Sequence, residues 1–146
     1  MNYELTDETI AGLGWTLYRI RALVDMPYHG VKAGDLGGFI ETVENLQGDA
    51  WVSDNAVVHG IARVADIARV AGSAVVSGNA RVYDSAKVFG NARIFGNAEV
   101  YGIARVFGNA EVYDNAKVFS IAQAYGNAKV SGNARVHGNA DVFNPL

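Results

Sequence analysis

The chain of 146 residues contains no cysteine, so disulfide bonds and thiolate metal sites are excluded. No run of about 18 apolar residues occurs, so no membrane-spanning helix is expected. The opening stretch, Met1-Asn2-Tyr3-Glu4-Leu5-Thr6-Asp7-Glu8, is acidic and lacks the basic-then-apolar order of a secretory leader, which makes a soluble cytoplasmic protein the expectation. No sign of charge dominates. The net charge is −3 with Arg, Lys and Glu interspersed, too balanced for a nucleic-acid-binding stripe and too weak for a DNA mimic. Threonine is confined to Thr6, Thr9, Thr16 and Thr42, which leaves no Thr array of the kind an ice-binding face needs.

What the chain does have is a period. Alanine stands at every sixth position from Ala50 to Ala140, and a Val or Ile follows two residues later from Val52 to Val142, except at Ala124. The unit is Asn-Ala-x-Val-aromatic-Gly, as in Asn91-Ala92-Arg93-Ile94-Phe95-Gly96. A fixed period means one small unit stacked on itself. On an α-helix each hexad would turn the apolar pair by about 240°, smearing it over three sides. The local order is instead Ala in, x out, Val in, aromatic out, which is strand alternation. The remaining Gly-Asn or Asp-Asn pair tolerates positive φ and turns the chain.

The outward charges set the number of hexads per coil. With neighbouring strands 18 residues apart, Glu99 lies between Arg81 and Lys117, and Glu111 between Arg93 and Lys129. A 12-residue coil would place Glu99 beside Glu111, and paired like charges cost a few tenths of a kcal/mol up to about 1. Three hexads per coil therefore predict a triangular parallel β-helix, although Arg69, Lys87 and Arg105 then stack on one another. The same register aligns Phe89, Phe107, Tyr125 and Phe143 in one outward column, Tyr83, Tyr101 and Phe119 in a second, and Phe95 and Tyr113 in a third. Corner Ile103 stacks on Ile121, and corner asparagines form ladders. Ile40 and Leu46 keep the phase, so the helix is expected from about Phe39, with about six coils, roughly 29 Å at ~4.8 Å per coil.

The chain divides into residues 1–38, an N-terminal β cap, and 39–146, the hexapeptide-repeat unit. Thr16–Val24 alternates and reads as a strand, with Tyr3–Thr6 as its partner. Met26–Gly30 and Gly34–Gly38 read as turns. At the other end Pro145 removes one donor, and the last coil is expected to stack end-to-end on another copy.

The hexad spacing resembles the left-handed β-helix hexapeptide-repeat proteins, a superfamily of bacterial acyltransferases, and left-handedness is what that resemblance implies. Gly30–Ile40, Asn45-Leu46 and Gly48-Asp49-Ala50-Trp51-Val52 look like the entry segment of YdcK-type proteins, a group that carries a transferase designation. Chains of the same build are common in phages and prophages.

The transferase likeness implies a catalytic histidine near a subunit boundary and acetyl-CoA as cofactor. His59 and His137 are the candidates, at outward positions usually held by Phe, Tyr, Ser or Ala. They are four coils and one face apart and cannot form one site within a subunit. His29 lies in the first turn. The bland alternative for each is a solvated surface histidine. No hexad is interrupted by a loop, and the C-terminal helix common in such enzymes is absent from the pattern. The corner residues Asp54, Asp66, Asp84 and Asp114 read as turn formers, with a cation between Asp66 and Asp84 as the alternative, so no metal site is expected. The Gly34–Gly38 segment reads as a plain turn, with anion binding as the alternative.

Exposed ring columns point to an interface. The leading expectation is a non-catalytic interaction or scaffold protein without cofactor. It would bind itself, as a dimer or trimer, or a host protein through Tyr83, Phe89, Phe95, Tyr101, Phe107, Tyr113, Phe119, Tyr125 and Phe143. An acyl-CoA-dependent acyltransferase is the alternative.

Overall fold

Hexad alternation builds three faces from short strands, most of them two residues long. The computed structural model describes residues 1–144, and helix there is confined to two short 3₁₀ turns, Pro27–His29 and Val43–Asn45. No helix is long and apolar enough to cross a membrane. The strands stack in parallel eighteen residues apart. Arg93 pairs with Val75 below and Glu111 above, Glu99 with Arg81 and Lys117, and Lys87 with Arg69 and Arg105. This is a β-solenoid of about six coils. Its three sheets have eight, six and five strands.

Successive coils are joined by their backbones. The N–H of each outward residue donates to a carbonyl one coil on, as from Arg81 to Ala98 and from Tyr83 to Val100, both at 3.0 Å. Inside, every repeat Ala and Val, Ile or Ala from Ala56 to Ala124 is fully shielded from solvent. Val142 packs against this core, whereas Ala134 and Ala140 are exposed. Pro145 lies outside the described residues.

The corners explain the Gly-or-Asp choice. Gly90 sits at φ 66°, and a Cβ there would lie 2.9 Å from the Gly108 nitrogen, so strain and crowding both favour glycine. Asp54, Asp66, Asp84 and Asp114 occupy the same left-handed region at φ 57–59°. Each gains a bond that glycine cannot make: its Oδ2 accepts the N–H of the corner residue one coil on, namely Gly72, Asp84, Gly102 and Gly132, at 2.9–3.0 Å. The Asp66 carboxylate is thus occupied by the Asp84 backbone. Among the described residues no cluster of three metal-ligating side chains occurs.

The N-terminal segment extends one sheet. Strand β1 (Tyr3–Ala11) pairs antiparallel with β2 (Thr16–Ala22), and β2 pairs antiparallel with β3 (Leu36–Ile40). β3 then pairs in parallel with Val57–Val58 through Phe39 and Ile40. The division between residues 38 and 39 therefore falls inside a strand shared by both parts. The expected Gly34–Gly38 turn is shorter than the sequence implies: it closes with the Asp35 N–H on the Lys32 carbonyl at 3.0 Å. Gly37 and Gly38 belong to β3 because the backbone passes so close there. A Cβ on either would lie 2.5 Å from a carbonyl oxygen, of Val52 or of Ala56.

Polar side chains tie this segment to the first coil. The Tyr3 hydroxyl donates to the carbonyls of Leu46 at 2.8 Å and Val43 at 3.0 Å. Burial, then the Glu44 charge, raises its pKa to about 12. Arg19 donates to the Gly37 and Asp54 carbonyls and lies 4.2 Å above the Phe39 ring. Buried Asn45 accepts the Glu41 and Thr42 N–H groups and donates to the Ala62 carbonyl at 2.8 Å, joining the first coil to the second.

The narrow interior makes a size test. We expect Ala92→Leu to lower stability by about 1–3 kcal/mol through overpacking. Ala124→Val, which restores the repeat residue between Val106 and Val142, should leave stability unchanged or raise it by about 1 kcal/mol. Urea denaturation of both variants against the parent checks the pair.

Candidate interaction surface

The outward position immediately before each corner carries the rings, and the eighteen-residue register places them one above another. Phe89 stacks on Phe107 at 4.9 Å between centroids, Phe107 on Tyr125 at 5.0 Å, and Tyr125 on Phe143 at 4.7 Å. On a second face Tyr83, Tyr101 and Phe119 stack at 4.9 Å, and on the third Phe95 and Tyr113 do the same. The rings below Tyr125 are within 3° of parallel, because the strands that carry them are in register. All nine expected ring residues therefore lie in three ladders. They point outward, yet only Phe143 is freely exposed, at 53%. The others are half-buried because each ring covers its neighbour.

Apolar corners add to this surface. Ile61, Ile103 and Ile121 are 72%, 56% and 48% exposed. Ile103 and Ile121 stand one coil apart, where the chain turns from the Tyr101–Phe119 ladder towards the Arg105 column. Equivalent corner positions elsewhere hold asparagine ladders, such as Asn79 donating to Asn97 at 3.0 Å. The charged columns are unequal. Glu99 lies 4.0 Å from Lys117 and accepts a 3.0 Å hydrogen bond from the Tyr83 hydroxyl. Burial, then that bond, raises the Tyr83 pKa. Arg69, Lys87 and Arg105 stack directly, and among the described residues none of them has an ion-pair partner.

The three histidines lie far apart and in different surroundings. His137 is exposed and stacks on Phe119 at 5.2 Å, extending the second ladder upward. His59 is half-buried and stacks on Trp15, from the β1–β2 turn, at 6.1 Å. Neither meets a hydrogen-bonding group that would orient it as a base. His29 departs from the solvated reading: it is buried, and its Nε2–H donates to the Asp49 carbonyl at 2.8 Å. Burial foremost holds its pKa below the usual value, with Arg69 and Lys87 adding to the effect against the Asp49 bond. No sequence signal marks His29 as buried, because it lies outside the repeat.

Residues 122–138, about one coil, match a family model described as YdcK Beta solenoid repeat. Together with the stacked coils, the match shows that the chain carries a YdcK-like β-solenoid repeat. No curated protein matches the chain.

Two outcomes follow from this geometry. Phe107 has a ring on each side, whereas Phe143 has one. Phe107→Ala should cost about 2 kcal/mol and Phe143→Ala less than half of that in urea denaturation. The His29 pKa is lower folded than unfolded, so as pH falls the unfolded chain binds the extra proton first. Its contribution is complete above pH of about 6.5 and is lost as pH falls through the window down to the lowered folded value. In His29→Gln, whose amide donates in place of the ring, stability measured across that window should fall less steeply with acidification than in the parent.

Proposed function

We propose that this protein is a non-catalytic scaffold that binds a second copy of itself, or a host protein in a phage or prophage setting, through its stacked outward rings and charged columns. The observation that carries the reading is the band formed by the Tyr101–Phe119 ladder and the exposed Ile103–Ile121 corner. The column of that corner reads Asp49, Ile67, Ser85, Ile103, Ile121 and Asn139; its exposed branched apolar side chains contribute nothing to the solenoid interior, and contiguous apolar surface of this kind is covered in an assembly. Residues 1–38 act in this reading as a cap, with β1–β3, Tyr3 and His29 covering backbone groups of the first coil that an added strand would otherwise reach.

The acyl-CoA-dependent alternative draws no support from the histidines. Two of them stack on rings, and the third gives its ring N–H to a backbone carbonyl.

Sedimentation velocity tests the self-association arm. We expect a dimer or trimer at about 10–100 µM, and at least tenfold weaker assembly in the Ile103→Asn/Ile121→Asn double variant. Asparagine is the residue that other corners already use, so the thermal midpoint should stay the same. An assembly indifferent to those substitutions, or a monomer throughout, removes self-association through this corner. Capture of a host protein that survives Phe95→Ala/Phe107→Ala in the folded variant removes the ring ladders as the contact.

A further inference from the structure

The ring ladder of the Phe89 face does not run its full height. The column at that outward position reads Ser53, Ala71, Phe89, Phe107, Tyr125, Phe143, so the stack steps down from an aromatic ring to a methyl group below Phe89. The upper side of Phe89 is covered by Phe107 at 4.9 Å, whereas no ring lies against its lower side. The step opens a groove of about 400 Å³ floored by Ala71 and Gly72 and closed above by Phe89. Arg69 and Lys87 form one wall and Asp54 contributes to the other.

The chemistry of the walls is asymmetric. Arg69 and Lys87 are direct strand partners and Arg105 continues the same column, so three cations stack without an intervening carboxylate. Like charges in such a stack repel one another; Arg69 gives one N–H to the His29 carbonyl at 3.1 Å, and its remaining donors and the Lys87 ammonium have no carboxylate partner among the described residues. Asp54 is the one acidic group lining the groove, and its Oδ2 is held by the Gly72 N–H at 3.0 Å. A similar step occurs below Tyr83, where Ala65, Arg63 and Arg81 line a groove of about 470 Å³. There Glu99 follows Arg81 in the cation column and holds the Tyr83 hydroxyl. Both ladder ends thus share a step lined by two stacked cations and one aspartate, and they differ in the next residue of the cation column, which is Arg105 above Lys87 but Glu99 above Arg81.

We propose that the groove beneath Phe89 binds a small planar aromatic anion, such as an aryl phosphate or aryl carboxylate. Its ring continues the ladder by stacking on the lower side of Phe89 above Ala71, where one more ring at the ladder spacing fits. Its anionic group lies against Lys87 and Arg69, where charge-assisted hydrogen bonds are the strong kind. This inference goes beyond the scaffold reading and is independent of it: a monomeric protein would still bind the ligand, and an assembling one would still do so if this groove stays uncovered.

Amide NMR titration of the full chain with phenyl phosphate, at constant ionic strength, tests it. The expected result is saturable shifts centred on Ala71, Gly72 and Phe89 with millimolar or tighter affinity. Cyclohexyl phosphate, whose ring is saturated and puckered, and inorganic phosphate, which has none, carry the charge without a planar aromatic ring and should bind at least tenfold more weakly. Ala71→Phe places the protein's own ring in the step and should abolish the shifts while keeping the coil folded. If that variant misfolds, Lys87→Gln serves instead, with an expected loss of about tenfold. No shifts at about 10 mM phenyl phosphate, equal response to inorganic phosphate, or undiminished binding in the folded variant would each overturn the proposal.

Discussion

Every feature of this molecule depends on the eighteen-residue register. Because strands repeat at that interval and pair in parallel, each residue lies directly over its counterpart one coil away, so inside the coil and along the ladders like stands on like, while Glu99 stands between Arg81 and Lys117. A position's side chain must therefore suit both its local backbone and a copy of itself at about 4.8 Å. Alanine alternating with valine or isoleucine meets that condition inside the narrow triangle. Rings meet it outside, because parallel discs stack at this spacing.

The same condition decides the corners. A left-handed residue must sit against the backbone of the next corner, which crowds out a Cβ at Gly90. Aspartate tolerates the position because its carboxylate captures the N–H one coil on, offsetting the strain of positive φ with a charge-assisted bond. Ser120 holds the same conformation at φ 59°. Corner asparagines bridge coil to coil by amide–amide bonds. No part of the coil is stable without its neighbours, which is the energetic meaning of a solenoid.

Most of this was legible in the sequence, because a repeat turns one local inference into sixteen. The position of Glu99 between Arg81 and Lys117 was enough to choose three hexads per coil, and the coil pairing follows that choice. The ladders were legible for the same reason. What was not legible lies where the period stops. The sequence pattern alone does not show that His29 is buried, that Gly37 and Gly38 lie in a strand, or that Asn45 bridges two coils. Each depends on a contact between segments with no common period. The Asp-to-backbone bonds are not legible although they lie inside the repeat, because aspartate at a corner carries the same turn-forming signal as the glycine it replaces. The rings are less exposed than their outward positions imply, because each is covered by the ring one coil away.

A perfectly regular solenoid would present the same surface at every level and could not distinguish one partner contact from the next. Specific recognition therefore has to reside in departures from the repeat. The departures here are few: the ladders end over Ala65 and Ala71, Ile103 and Ile121 stand at corner positions that elsewhere are mostly Asn, and Arg69, Lys87 and Arg105 stack with no carboxylate between them. None of them improves the stack, since a methyl under a ring forfeits stacking, an exposed isoleucine forfeits a corner hydrogen bond, and stacked cations repel. Residues that weaken the local structure yet stand near one another are where the proposed contacts would be read, and on this chain they fall on the Tyr83 and Phe89 faces and the corner between them.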